Sequence, residues 1–317
     1  MATSKILVHS SASDKDAHIP DAVTKAVALA QRSGVKAEAV ESLLEIKRRL
    51  MLPSDDPQWA AGAISADRTA NVLASTRIDP IMIINPATGQ VERLRSPLAA
   101  VLPTAKRGYN FVLTDAGAYM NTDWGQVALG ALLCGSLWRV LHGKKFPRYG
   151  VLGYGEEFDK LPEDLKRVYV FLASFPNRTV KVVESKEVLG GDSVEVLIPR
   201  NGEIGNVFLK TAEATLGCFG TILKEELGAD VQSKLGAVLS APAFRRVKAR
   251  LYLPESHGAL VLGCRAPVMK HHGRMDSDGL LLAILRLHRI IQDNVLSRVR
   301  ADFWNEIERS HPELIPR

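Results

Sequence analysis

Tyr149-Gly150-Val151-Leu152-Gly153-Tyr154-Gly155-Glu156-Glu157-Phe158-Asp159-Lys160 sets a short apolar run against a turn that carries glycine and charge. The run at 149–153 reads as a strand, the amphipathic window at 162–171 as a helix, and the β-branched run at 179–183 as the next strand. Strand, turn, helix and strand in that order is the unit of an α/β fold. The same rhythm continues outward on both sides. Further strand candidates lie at 5–8, 80–84, 110–114 and 194–198, with helical windows at 22–32, 39–51, 124–142, 206–227 and 277–308. Turn signals at 86–89, 143–147 and 190–192 read as loops rather than linkers, so any boundary is a cleft between interlocked halves.

The chain has 317 residues, 46% hydrophobic and 24% charged, which is enough to bury a core without metal or disulfide staples and excludes a disordered or collagenous chain. Three widely spaced cysteines, Cys134, Cys218 and Cys264, give no disulfide framework and no zinc spacing, and fit a reducing compartment. The N-terminal run is too short for a signal peptide, and the longest apolar stretches are interrupted by Arg139 or flanked by Asp278 and Arg286. A cytoplasmic protein is expected. Lys and Arg exceed Asp and Glu by 41 to 35, a net +6 that favours acidic partners or, equally, a dispersed basic surface. The basic residues are scattered without interleaved aromatics, so no nucleic-acid partner is expected.

Dinucleotide, P-loop, nucleophile-elbow and zincin motifs are absent from the sequence. Adjacent His271 and His272 point apart on a strand or helix and do not read as a metal pair. Neither a cofactor nor a metal is called for. What stands out is a set of sharp turns after strands, where open α/β sheets bind ligands. One is 154–160; a second, 201–210, opens a helix whose free N–H groups and dipole suit a phosphate; a third runs from His257 to Gly263 and on through Val268-Met269-Lys270-His271-His272-Gly273. Each alone reads more readily as a solvated loop.

Taken together in this order, the turns resemble the bacterial PlsX-type phosphate acyltransferases, whose patterns GEExxxK and GNVxLKT read here as Gly155-Glu156-Glu157 with Lys160, and Gly205-Asn206-Val207-Phe208-Leu209-Lys210-Thr211. The GGAxLLG and VxKxHG patterns read His257-Gly258-Ala259-Leu260-Val261-Leu262-Gly263 and Val268 to Gly273, and a DxGA turn is echoed by Asp115-Ala116-Gly117-Ala118. The resemblance runs from about 97 to 295 and is thin upstream. It departs at 9–14, His9-Ser10-Ser11-Ala12-Ser13-Asp14, where two family glycines are replaced, and at 65–71, Ser65-Ala66-Asp67-Arg68-Thr69-Ala70-Asn71, where SAGNTGA loses two more. Glycines let a backbone approach a phosphate, so that pocket is reshaped; Arg68 can restore an anion contact because a guanidinium matches phosphate geometry.

The resemblance implies a three-layer α/β/α fold of the isocitrate dehydrogenase and phosphotransacetylase kind. It would form one domain over 1–317, with halves 1–105 plus 275–317 and 106–274 around a cleft. It implies transfer of a fatty acyl group from acyl-carrier-protein thioester to inorganic phosphate for phospholipid or related lipid synthesis. A homologue that binds the carrier without catalysis is the alternative. Phosphate is itself the nucleophile, so no Ser, Cys or His nucleophile is required. Lys160 and Asn206 are assigned to phosphate and the tetrahedral oxyanion, and Lys270 and His272 to orienting phosphate or the leaving thiolate. Ser65, Arg68, Thr69, Gly155, Glu156, Gly205 and Gly273 are assigned to substrate binding.

After Pro242, Phe244, Val247 and Leu251 recur at helical spacing among Arg245, Arg246, Lys248 and Arg250. The stretch 242–252 reads as a contact for the inner membrane face, as a dock for acidic carrier protein, or as a solvated helix. The stripe Leu280, Ile284, Leu287, Ile291 and Val295 reads as core or as the contact of a homodimer.

Overall fold

The computed structural model describes residues 5–10, 19–52, 60–66, 80–143, 146–191, 193–251, 258–264, 266–271 and 276–316. Its first part contains β1 (Ile6–His9), α1 (Ile19–Arg32), β2 (Ala37–Val40), α2 (Leu43–Met51) and β3 (Gly62–Ala66). The hairpin β4 (Met82–Ile84) and β5 (Val91–Arg93) stands apart as a two-stranded sheet. The middle runs through β6 (Leu98–Pro103), β7 (Asn110–Leu113), α3 (Trp124–His142), β8 (Tyr149–Leu152), α4 (Glu163–Ala173), β9 (Val180–Val183), α5 (Ser185–Gly190) and β10 (Val196–Ile198). Two long helices, α6 (Gly202–Leu227) and α7 (Val231–Leu251), precede β11 (Ala259–Val261), β12 (Val268–His271), α8 (Ser277–Gln292) and α9 (Val295–Ser310).

Ten strands form one sheet in the order β2-β1-β3-β12-β11-β6-β7-β10-β8-β9. β2, β1, β3 and β12 are mutually parallel, as are β7, β10, β8 and β9. Between them β11 and β6 are joined by antiparallel pairing on both sides, so the two parallel blocks run in opposite directions. Helices cover both faces, which makes the molecule the expected three-layer α/β/α fold. One face carries Ile6, Val8, Ile64, Met269, Val196 and Ile198 and packs under α1, α3, α4, α8 and α9. The other carries Leu7, Ala63, Val268, Phe111, Leu113 and Leu197, and is met by Ile46 and Leu50 of α2, Val188 of α5 and Leu209 of α6.

Several boundaries differ from those read in the sequence. The window at 39–51 divides into strand β2 and helix α2, because Ala37 pairs with Ile6 in the sheet and Ser42 then caps the new helix by accepting from the Glu45 amide. The window at 277–308 is two helices, α8 and α9, separated at Asn294, whose φ of 52° lies in the left-handed region that asparagine tolerates. Leu280, Ile284, Leu287 and Val295 are core residues.

Helix α3 is long and apolar enough to cross a membrane by composition, but it lies in the core, with most of its side chains buried against the sheet and α9. Its one interior charge is Arg139. That guanidinium donates to Asp302 at 2.6 and 2.8 Å and to Glu306 at 2.5 Å, and Glu306 also pairs with the buried Arg178. Replacing Arg139 with Leu leaves those carboxylates short of a partner in a poorly solvated place. The expected outcome is a loss of about 2–3 kcal/mol in urea unfolding with an unchanged slope.

Candidate active site

The site is organised by the turn that follows β7. Asp115 is partly buried, and its Oδ1 accepts from the amides of Leu98 (3.0 Å), Gly117 (3.3 Å) and Ala118 (2.9 Å) while Oδ2 accepts from Tyr119 (2.9 Å). Burial pushes its carboxyl above the usual carboxylate range, against the pull of the four donors. The turn so fixed is the seat of α6. The Gly202 amide donates to the Tyr119 carbonyl at 2.8 Å, and a Cβ on Gly205 would stand 2.0 Å from the Asp115 carbonyl oxygen. Gly117, at φ 119°, lies against Asn206, so the exposed Asn206 side chain projects beside this turn.

The start of α6 differs from the expected open phosphate cradle. Asn201 caps it by accepting from the Ile204 amide at 3.0 Å, and the Gly202 amide is taken by Tyr119. Those two N–H groups already have acceptors within the chain, so the helix offers the Asn206 amide side chain and its dipole rather than a set of free amides.

The second element is the loop after β8. It closes in a short 3-10 turn, Phe158–Lys160, and Lys160 Nζ donates to Glu157 Oε1 at 2.8 Å. Both side chains are exposed. The hydrogen bond to Glu157 holds the Lys160 amine above its usual range, so the group stays cationic. A Cβ on Gly155 would meet Glu157 at 2.8 Å and Lys160 at 3.2 Å, so this glycine lets the pair fold back over the loop. Glu156 is exposed.

A third group lies on the other parallel block. Lys270 of β12 is in register with Ser65 of β3, which neighbours His9 of β1. The three side chains form one row on the face that carries Leu7, Ala63 and Val268. His9 Nε2 donates to the Glu41 carbonyl at 3.2 Å, which leaves Nδ1 of the neutral ring to accept from the buried Ser65 hydroxyl at 3.5 Å. Lys270 is half-buried at the end of the row.

Loop 153–160 and α6 follow the carboxyl ends of β8 and β10, whereas Ser65 and Lys270 stand at the carboxyl ends of strands running the other way. A flat sheet would point these two ends apart. Four to six inter-strand steps separate the two groups, and the usual twist of about 20–25° per step turns one against the other by roughly 80–150°.

A family model described as "Fatty acid synthesis protein" matches residues 48–298. The chain belongs to that family. It is 31% identical to a phosphate acyltransferase of Shouchella clausii over 68% of this chain and 65% of the relative. Against a phosphate acyltransferase of Paraburkholderia xenovorans the identity is 32% over 76% of this chain and 62% of the relative. The chain thus spans less than two thirds of the length of these relatives, while a phosphate acyltransferase of Anoxybacillus flavithermus, 30% identical, is covered over 77%. Among solved structures, a branched-chain phosphotransacylase from Enterococcus faecalis superimposes with a TM-score of 0.51 at 14% identity, over 92% of this chain and 99% of that one, and shares the fold.

Of the residues singled out in this family member's sequence, Gly155, Glu156, Lys160, Gly205 and Asn206 follow the carboxyl ends of β8 and β10 in one parallel block, and Ser65 and Lys270 lie on the other block. Arg68, Thr69, His272 and Gly273 lie outside the described residues. Sequence reading did not single out two residues that shape the site. Asp115 was visible as the head of Asp115-Ala116-Gly117-Ala118, and His9 as the residue that directly follows the first apolar run.

Gly205→Ala forces a Cβ onto a backbone oxygen and is expected to cost at least about 3 kcal/mol, read by urea unfolding. Asp115→Asn keeps the shape but turns a donor toward the Tyr119 amide, a loss of about 1–3 kcal/mol. Native Asp115 holds its proton more tightly than the unfolded chain does, so its contribution is full at acid pH and declines as pH rises through the raised native value. The deficit of the Asn variant should therefore shrink as pH rises from about 4 through the raised native value. A deficit that grows over that range would overturn the assignment.

Proposed function

We propose that this family member moves a fatty acyl group from a thioester on acyl carrier protein to inorganic phosphate, giving an acyl phosphate for phospholipid or related lipid synthesis. The observation that carries the reading is the cation and amide pair, Lys160 and Asn206, on two adjacent strand-end turns of a chain whose relatives are named phosphate acyltransferases. A phosphate oxygen bonds to the thioester carbonyl carbon, the carbonyl oxygen becomes an oxyanion, and collapse breaks the C–S bond to release the carrier thiolate. Lys160 and Asn206 hold phosphate and the oxyanion as charge develops. Lys270 and His272 orient phosphate or the leaving thiolate, and the segments containing Ser65, Arg68, Thr69, Gly155, Glu156, Gly205 and Gly273 shape the pocket.

Partners follow from the surface. Arg245, Arg246 and Lys248 are exposed on α7 and suit an acidic carrier or an anionic membrane face. Exposed Phe219, Ile222, Leu235 and Leu239 on α6 and α7 support a homodimer. The occupied amides at the start of α6 favour a second reading, a homologue that binds the carrier without turnover.

The test combines purified protein, acyl-carrier-protein thioester and phosphate, and traps acyl phosphate with hydroxylamine. Lys160→Ala and Asn206→Ala should each lower the rate on the order of 10²–10³-fold without moving the thermal melt. Wild-type rates in both variants would remove them from the site. Carrier binding with no acyl phosphate from the native protein would establish the second reading.

A further inference from the structure

Helix α6 places Ile204, Val207, Phe208, Thr211, Ala212 and Leu216 along one face at helical spacing. In a soluble protein such a stripe ordinarily packs into the core. Here Ile204, Val207 and Leu216 are 43%, 56% and 45% exposed, and the side chain that α6 buries in the core is Leu209. The stripe instead walls a cavity of about 770 Å³, within the roughly 300–1,000 Å³ usual for small-molecule sites. Leu152 at the end of β8 and Leu189 of α5 also line the cavity, with Pro103 at the end of β6 and Ala105 just after it. Val247 and Leu251 of α7 close the far end, where Arg250 donates to the Ala105 carbonyl. Val247 and Leu251, whose stretch the sequence reads as a membrane contact, a carrier dock or a solvated helix, line this cavity while Val247 stays half exposed.

We infer that this cavity is the subsite for the acyl chain, and that Ala212 and Leu216 set the length of chain it accepts. The inference rests on the fatty acyl transfer proposed above and names where that substrate's chain lies. Continuity with the reacting groups supports it. Leu152 leads directly into the loop that ends at Lys160, and Ile204 and Val207 bracket Gly205 and Asn206. A carbonyl held by Lys160 and Asn206 therefore has its chain at the mouth of the cavity. From Ile204 to Leu216 the helix rises on the order of 18 Å, a length suited to an extended fatty chain rather than an acetyl group. Two polar groups on the walls, Thr104 and Arg250, are already engaged within the chain. Thr104 Oγ1 bonds to the Lys106 and Tyr109 carbonyls, and Arg250 is turned to Ala105. A methylene chain fits such walls, each added methylene tightening binding about fourfold until the cavity is full.

The experiment measures KM for butyryl and palmitoyl thioesters with the native protein, Ala212→Phe and Leu216→Trp, and separately the affinity for dodecanoate by displacement of a fluorescent fatty acid. Ala212→Phe should shift the palmitoyl-to-butyryl preference at least tenfold toward butyryl and weaken dodecanoate to a similar degree, with Leu216→Trp acting on the longer chain alone. If Ala212→Phe fails a thermal melt, Leu216→Trp carries the test. Unchanged preference and unchanged dodecanoate affinity would overturn the subsite. So would a variant that alters the dimer in light scattering while leaving both readouts in place, which would make the cavity an interface between copies. A native protein that forms no acyl phosphate but binds dodecanoate, and loses it in Ala212→Phe, would end the proposed reaction and leave the subsite standing.

Discussion

The carboxylate of Asp115 gathers amides from two segments, Leu98 at the start of β6 and the turn from Gly117 to Tyr119. A carboxylate withdrawn from water without donors would be costly, and four backbone N–H groups offset part of that cost, burial still outweighing them. In return the turn acquires one shape. Its carbonyls at Asp115 and Tyr119 then face the first turn of α6 so closely that Gly202 and Gly205 have no room for a Cβ. The position and direction of α6 follow from this contact, and with them the Asn206 side chain and the apolar stripe over the cavity. Two glycines that look like a phosphate-loop signature are explained first by the need to bring a helix against a carbonyl.

A second constraint comes from the sheet. Opposed parallel blocks joined through β11 and β6 would scatter strand-end residues to two edges if the sheet were flat. In a twisted sheet, strand ends that run oppositely can still turn toward one another. The residues on both blocks also lie on one face: the row of His9, Ser65 and Lys270 shares its side with Leu209 and Phe208 of α6. That face is the thinner layer, because α7 has no buried side chain and α6 contributes few. The thick layer of α1, α3, α4, α8 and α9 supplies the core, and the thin one leaves space for ligand.

Much of this was legible in the sequence. β-branched runs marked β8, β9 and β10, and the turn read at 154–160 is a loop ending at Lys160, whereas most of the turn read at 201–210 is already the start of α6, capped by Asn201. Six strands were not read as such, β2, β3, β5, β6, β11 and β12, and of these β2, β3 and β6 read Ala-Glu-Ala-Val, Gly-Ala-Ile-Ser-Ala and Leu-Ala-Ala-Val-Leu-Pro. Alanine gives no β signal; burial between two layers makes these segments strands. The occupied amides of α6 were hidden for a related reason. Their acceptors, Tyr119 and Asn201, are set by tertiary contact and capping geometry rather than by spacing in the chain.

The contrast between two ion pairs shows how the site can stay adaptable on a rigid frame. Arg139 is enclosed, held by two carboxylates of α9, and has no freedom to serve anything else. Lys160 and Glu157 are both in water, where a pair is weak and easily exchanged. Glu157 keeps the lysine protonated and folded over the loop, yet an arriving anion needs only to take the carboxylate's place. The same carboxylate, with Glu156 beside it, repels that anion until other donors join in. Lys160 alone is therefore a poor anion site, and the proposed reaction requires the Asn206 amide and the dipole of α6 to act on the same ligand.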